Sequence, residues 1–398
     1  MSQTPAISPS RRIAFTALER VAAGGYATDL LLQLAAGLDS RDAGLASQIV
    51  FGCLRYQGQL DFLIRHYSRR KPEDVEEPVR IALRMGLFQL RYLDRIPVHA
   101  AVHETVELAK THRRAAAGFV NAVLRKVNRA PVKWPDEATA LSCPAWLMER
   151  WNKHFGRGQG GKIAAAALEE PARYIRLGPG EPVPADLHLA PTDVPGCFQL
   201  VSGSAGSMRL QDIGSQAIVP LLDLAPGQTY LDLCAAPGNK TVQALETPVQ
   251  AVACDISETR IRQIPAICPR VVLDATRPLP FSRKFDRIFI DAPCSGTGTI
   301  GRNPEIKWRV QPSDFGRFGE SQYELLTQAA RLLASGGKLL YATCSLEPEE
   351  NEDVIRRFCS AEPAMRLEGE TWRIPGRDEG DGFYGAVLSG RDDGSRPS

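Results

Sequence analysis

The 398-residue chain has 43% hydrophobic residues, ordinary for globular proteins, and length enough for two or three domains. It contains no run of 18 apolar residues that could span a membrane, and MSQTPAISPSRR lacks a signal-peptide core, so a cytoplasmic protein without a membrane partner is expected. No two of the 9 cysteines lie closer than 14 positions, which argues against a CxxC zinc knuckle or a disulfide framework. The net charge of +2 is uninformative, but residues 1–130 hold 19 Lys and Arg against 12 Asp and Glu. That basic start hints at nucleic acid.

From Ile7 to Ala130 the apolar spacing is helical. Ser10 is positioned to cap a first helix that stops at Gly24-Gly25. Val98, Val102 and Val106 predict the core stripe of a later one. His99 and His103 share a helical face, but without a third ligand no metal is expected. PAWLMERWNKHFG predicts one more helix, and the Pro/Gly-rich stretch Pro171–Gly206 predicts short strands and loops. The boundaries expected are a helical domain over 1–130, a connector with a small subdomain over 131–210, and a third domain over 211–390. Residues 391–398 are expected to form a disordered tail.

From Thr229 the rhythm changes. YLDLCAA, AVACDIS, RVVLDA, RIFIDAPC and KLLYATCS predict five strands separated mostly by helices, the alternation of a parallel, doubly wound α/β sheet of Rossmann-like type. DGFYGAVLS predicts an edge strand. In such sheets ligands bind at the carboxyl ends of the strands. LDLCAAPGNKT (Leu231–Thr241) makes a strand, a tight turn and a helix start, and is neither GxGxxG nor a P-loop. Asp255, Asp274 and Asp291 end the second, third and fourth strands. A single such acid is usually a helix cap. A row of them beside a glycine turn favours a nucleoside-containing cofactor.

Cys294 and Cys344 end the fourth and fifth strands. Either alone reads as a buried, inert thiol. Together, with Asp291 nearby, they suit chemistry at a pyrimidine. Adding a thiolate to carbon 6 makes carbon 5 an enamine-like nucleophile, able to attack a methyl sulfonium. An acid near ring nitrogen 3 stabilises the charge, and a second group helps remove the carbon-5 proton. The acids of EPEENED after Ser345 read first as helix-dipole residues.

LDLCAAPGNKT, ACDIS, DAPCSGTG, NPEIKW and YATCSLEPEENE resemble the Sun/Fmu/NOL family of RNA cytosine-5 methyltransferases. RDAGLASQIVFGCLR, PVHAAVHETVELAK and GFVNAVLRKVNR resemble the NusB-like RNA-binding domain that precedes the core in a bacterial member acting on 16S ribosomal RNA. The resemblance implies an all-α NusB-like domain followed by a Rossmann-like methyltransferase domain, S-adenosyl-L-methionine as cofactor, and RNA, chiefly 16S rRNA, as partner of a monomer. It implies that Cys234, Ala235, Ala236, Pro237, Gly238, Asn239 and Lys240 line the cofactor's methionine part, with Asp255 at its ribose and Asp274 near the adenine. Asp291 would serve cofactor and base, and Lys240 would join the catalytic set. The resemblance also assigns attack to Cys344 and product release to Cys294. QDIGSQ (Gln211–Gln216) matches the family's entry to the core, with packing as its first reading.

Four departures stand out. Asn239 replaces a glycine, the segment from Asp255 to Asp274 is short and holds Pro265 and Pro269, Gly301 stands where arginine is frequent, and Pro171–Gly206 is trimmed. A transfer-RNA substrate and a non-catalytic RNA-binding assembly or antitermination factor are the rival readings.

Overall fold

The computed structural model describes residues 7–206 and 208–390, so the tail 391–398 lies outside the described residues. The chain forms two compact units. The first comprises the chain up to Glu169 together with Ile300–Arg309, and the second comprises Glu170–Thr299 with the chain from Val310 onward.

The first unit is helical. Pro9–Ala22, Ser40–Arg55, Gln57–Ser68, Glu77–Tyr92, Val98–His112 and Ala117–Leu124 pack around Phe15, Leu18, Ile49, Leu60, Leu63, Leu83 and Val120. Two close approaches need small or polar residues. A Cβ on Gly52 would lie 1.9 Å from the Phe88 ring, so helices Ser40–Arg55 and Glu77–Tyr92 can approach closely there only with glycine. Buried Arg11 is satisfied by Gln89 Oε1 at 2.6 Å and Glu104 Oε1 at 2.9 Å. Segment Ile300–Arg309 is integral to this unit: Glu305 accepts from Ala27 N at 3.0 Å, Lys307 Nζ donates to Arg55 O at 3.0 Å, and Trp308 Nε1 donates to Leu54 O at 2.8 Å.

Two local expectations fail in this unit. Pro9 opens the first helix with Ser8 at the cap position, and Ser10 is buried one residue inside it. Proline is favoured at that first position because its missing N–H would have no helical partner. The valine stripe is not the core face either. Val98 is 63% exposed, while Ala101, Thr105, Leu108 and Ala109 form the buried side of its helix. Small residues there allow the helix to lie close to its neighbours, and Val102 and Val106 only flank the core.

The second unit opens with a three-stranded antiparallel sheet, β1 (Tyr174–Arg176), β2 (His188–Pro191) and β3 (Cys197–Ser202), in the order β1-β3-β2. The main sheet comprises β4 (Thr229–Leu233), β5 (Gln250–Asp255), β6 (Arg270–Val272), β7 (Phe285–Asp291), β8 (Leu333–Thr343), β9 (Met365–Arg373) and β10 (Phe383–Gly390). Its order is β6-β5-β4-β7-β8-β10-β9. The five strands from β6 to β8 pair in parallel, and β10 and β9 are antiparallel. Leu231, Leu233, Ile288, Ile290, Leu339 and Tyr341 are fully buried, as strands covered on both faces require. The crossover between β5 and β6 holds only the four-residue helix Glu258–Ile261, the stunted element that Pro265 and Pro269 predict. DGFYGAVLS is an interior strand rather than an edge, because β9 covers its outer side. β9 carries Arg366, Glu368 and Glu370 on a largely exposed stretch, the charged pattern that protects a sheet edge and hides a strand from hydrophobic periodicity.

Candidate active site

Strand order reverses between β4 and β7, which makes their carboxyl ends the switch point of the sheet. A cavity of about 140 Å³ opens there, lined by Asp232, Cys234–Lys240, Asp291, Phe289 and Ser215. The turn above β4 is built residue by residue. Cys234 takes a left-handed φ of 66°, and Ala235 N donates to Cys254 O at 2.8 Å. Such a conformation is costly for a residue with a side chain and is found preferentially at functional sites. Gly238 takes φ 107° and precedes helix Asn239–Ala244. Glycine therefore carries the left-handed position, and Asn239 is simply the first helical residue, so the substitution there leaves the turn intact.

Asp255 braces this turn, accepting from Ala236 N at 3.1 Å and from Ser257 N at 2.8 Å. Asp274 lies beyond β6 and accepts from Thr276 N at 3.0 Å and Thr276 Oγ1 at 2.7 Å, bonds that hold its carboxyl below the usual range. It does not line the cavity. Lys240 Nζ meets Asp291 Oδ2 at 2.6 Å and stands 5.1 Å from the Phe383 ring centroid. Burial pulls the Lys240 ammonium down, and Asp291 more than offsets that, so its pKa rises. Asp232 is buried and pushed up to about 7 by desolvation, although Thr241 Oγ1 donates to its Oδ2 at 2.7 Å. The turn Cys234–Lys240 around this cavity, left-handed at Cys234 and Gly238, leaves main-chain groups open to a ligand and fits a nucleoside cofactor that meets backbone at a switch point.

The thiols come together as their strands do. β7 and β8 pair with Asp291 opposite Ala342, and Cys294 Sγ lies 3.4 Å from Cys344 Sγ, both half-buried. The hydrogen bond with Cys344, followed by burial, pushes the Cys294 thiol well up. Backbone contacts hold the two loops in register: Gly298 N donates to Cys344 O at 2.9 Å, and Gly382 N to Gly298 O at 2.8 Å. A Cβ on Gly298 would fall 2.4 Å from Gly382 O and 2.8 Å from Cys344 O. QDIGSQ is scaffold: Gln211 Nε2 donates to Gln243 Oε1 at 3.0 Å and Gln216 Nε2 to Gln211 O at 2.8 Å, while Asp212 caps helix Ile213–Ile218.

Sequence patterns single out neither Phe383 nor Glu350. Phe383 arrives from a strand expected at the edge. Glu350 is no helix-dipole acid, because it is fully buried and bonded to Ser295 and Ser345. Its acid-rich flank disguises it.

A glycine turn at the switch point of a mostly parallel sheet, with a helical unit ahead of it in the chain, defines a two-part protein whose second part is of the Rossmann-like class. A family model described as 16S rRNA methyltransferase RsmB/F matches residues 219–389, and the NusB family model matches residues 8–129. Ribosomal RNA small subunit methyltransferase B of Cronobacter sakazakii is 33% identical, over 95% of this chain and 98% of its own. The protein of that name from Citrobacter koseri is 32% identical with the same coverage. The chain belongs to this RsmB/F family of methyltransferases. Solved structures agree on the fold. The crystal structure of PH0851 covers 97% of this chain and 100% of its own, at TM-score 0.81 and 23% identity. That of NSun6 from Pyrococcus horikoshii with SFG covers 63% of this chain and 99% of its own, at TM-score 0.56 and 17% identity.

Proposed function

We propose that this enzyme methylates carbon 5 of a cytosine in 16S ribosomal RNA through a covalent bond between a cysteine and carbon 6. The observation that carries the reading is the 3.4 Å between the Cys294 and Cys344 sulfurs, at the ends of neighbouring parallel strands beside the Lys240–Asp291 pair. Two thiols meeting at strand ends suit nucleophilic chemistry, and cytosine carbon 5 cannot take a methyl group without prior activation. The names of relatives aligned over nearly their whole length support 16S rRNA as the substrate.

S-adenosyl-L-methionine, when bound, supplies a methyl group on a positively charged sulfur. Cys234, Ala235, Ala236, Pro237, Gly238, Asn239 and Lys240 would hold its methionine part, with Asp255 at the ribose and Asp274 towards the adenine. In this reading the Cys344 thiol gives up its proton to the Asp291 carboxylate as its sulfur attacks carbon 6, and the electron pair displaced from the C5–C6 bond makes carbon 5 nucleophilic. Asp291, oriented by Lys240, relays the proton released by Cys344 to ring nitrogen 3, which neutralises the charge that builds there. Once carbon 5 carries the methyl group, Cys294 assists loss of its proton. The returning electron pair reforms the double bond and expels Cys344. The enzyme works in the cytoplasm as a monomer, with the basic helical unit holding the RNA.

Bisulfite sequencing of total RNA from cells with and without the gene tests the proposal. One cytosine of 16S rRNA should lose protection when the gene is absent. Loss in a transfer RNA would move the substrate, and no loss anywhere would reject cytosine-5 methylation.

A further inference from the structure

The loops that carry the thiols meet on an acid that the proposed chemistry does not use. Glu350 is fully buried at the end of the single turn Pro348–Glu350. On the Cys294 side its carboxylate accepts from Ser295 N at 2.8 Å and from Ser295 Oγ. On the Cys344 side it accepts from Ser345 Oγ at 2.7 Å. Gln322 Nε2 donates to it at 3.3 Å and to Pro293 O at 2.9 Å. One carboxylate thus holds the residue after each cysteine, and through Gln322 the residue before Cys294.

The turn itself is pinned in place. Tyr341 Oη donates to Glu350 O at 2.6 Å, Thr343 Oγ1 to Asn351 Oδ1 at 2.6 Å, and Asn351 Nδ2 to Ser345 O at 3.0 Å. A buried carboxylate is costly unless donors surround it, and here each of the four bonds comes from a donor. A carboxylate accepts with both oxygens, whereas a glutamine in its place keeps one acceptor for Ser295 N and Gln322 Nε2 and must reverse the two charge-assisted bonds from the Ser295 and Ser345 hydroxyls.

We propose that Glu350 is the positioning residue of the dithiol centre: by holding Ser295 and Ser345, its carboxylate sets the separation and orientation of the Cys294 and Cys344 sulfurs. The catalytic consequence rests on the two-thiol reading above, but the spacing does not.

The test uses the full chain and phenylarsine oxide, a trivalent arsenical that forms one As–S bond to each of two close thiols and releases its oxygen as water. Arsenical bound by the native protein but lost in Cys294→Ala reports the pair. Glu350→Gln should weaken that binding at least tenfold. Ser345→Ala, which removes one tether and leaves three, should weaken it about threefold. Methyl transfer by Glu350→Gln should lose at least tenfold in kcat with the RNA KM and cofactor affinity within twofold of native. A purely structural acid would not produce that split, and Glu350→Asp, restoring an acceptor-only side chain, should recover part of kcat. Native arsenical affinity in Glu350→Gln and Ser345→Ala would overturn the proposal. If Glu350→Gln does not fold, Ser345→Ala and Ser295→Ala decide the matter by the same readout. If the native protein transfers no methyl group, the arsenical result still decides the clamp, and the proposed function fails separately.

Discussion

Lys240 and Asp291 form an ion pair, Nζ to Oδ2 at 2.6 Å, that joins the helix after β4 to the end of β7 across the switch point of the sheet. The pair is mostly shielded from solvent, with the lysine side chain 13% and the aspartate 31% exposed. It therefore orients the carboxylate rather than merely decorating a surface. Lys240→Met should lower methyl transfer at least tenfold while leaving the far-ultraviolet dichroism unchanged. Native kcat in a folded Lys240→Met protein would remove the pair from the chemistry.

Asp255 braces Ala236 N and Ser257 N at the turn proposed to hold the cofactor. Asp255→Ala should weaken S-adenosyl-L-methionine binding by about 1.5–3 kcal/mol, roughly tenfold or more, as expected for lost hydrogen bonds to an ionised group. It should also lower stability by about 1 kcal/mol for each lost backbone bond. Titration calorimetry that found unchanged affinity would exclude Asp255 from the cofactor site.

Asp232 makes stability depend on pH in a direction opposite to that of a salt-bridged carboxylate. Its carboxyl ionises at about 3.9 in the unfolded chain and at about 7 when buried in the folded protein. Between those values the unfolded state binds fewer protons, so stability falls as pH rises from about 4 to 7 and is level above that. Asp232→Asn should abolish this component. Urea unfolding of both proteins at pH 5 and pH 8 measures it: the variant should gain on the native protein at pH 8, and a pH-independent difference would contradict the assignment.

The end of helix Gln57–Ser68 and helix Ala117–Leu124 share a basic surface. Arg69, Arg70 and Lys126 are exposed, Lys126 Nζ donates to Tyr67 O at 3.1 Å, and Arg70 stands 4.9 Å above the Phe119 ring. Changing all three to glutamate should raise the Kd for RNA and flatten its logarithmic salt dependence by about 0.7 for each phosphate of single-stranded RNA no longer neutralised. Cofactor binding should not change. An unaltered salt slope would mean that RNA binds elsewhere.

How far the molecule was legible in its sequence follows from the range of each interaction. Buried strands such as RIFIDAPC and KLLYATCS announce themselves by apolar runs that end in small or polar residues, so the fold and the strand-end positions of Cys294 and Cys344 were readable. Their neighbouring placement depended on strand order, which sequence left conditional. β9 was not readable because its exposed charges break the apolar alternation. The valine stripe of helix Val98–His112 misled because bulk is not burial: the close packing there uses Ala101 and Ala109. Glu350 was invisible as a clamp because its partner Ser295 lies 55 positions earlier in the chain. The place of Ile300–Arg309 in the helical unit is likewise set by tertiary contacts, such as Trp308 Nε1 with Leu54 O, that no local pattern carries.

The division of labour between the two sulfurs 3.4 Å apart is the central claim, and trapping of the protein–RNA adduct tests it most directly. Each variant is incubated with substrate RNA and methyl-labelled S-adenosyl-L-methionine, then run on a denaturing gel. The target base must leave its stack to reach either thiol, at a cost of a few kcal/mol, so the RNA should present it accessibly. Cys344→Ala should give no slow-migrating band and no methyl transfer, because carbon 5 is never activated. Cys294→Ala should give a band that carries labelled methyl, because attack and methylation proceed and release stalls. A band from Cys344→Ala but none from Cys294→Ala would contradict the assignment and make Cys294 the nucleophile.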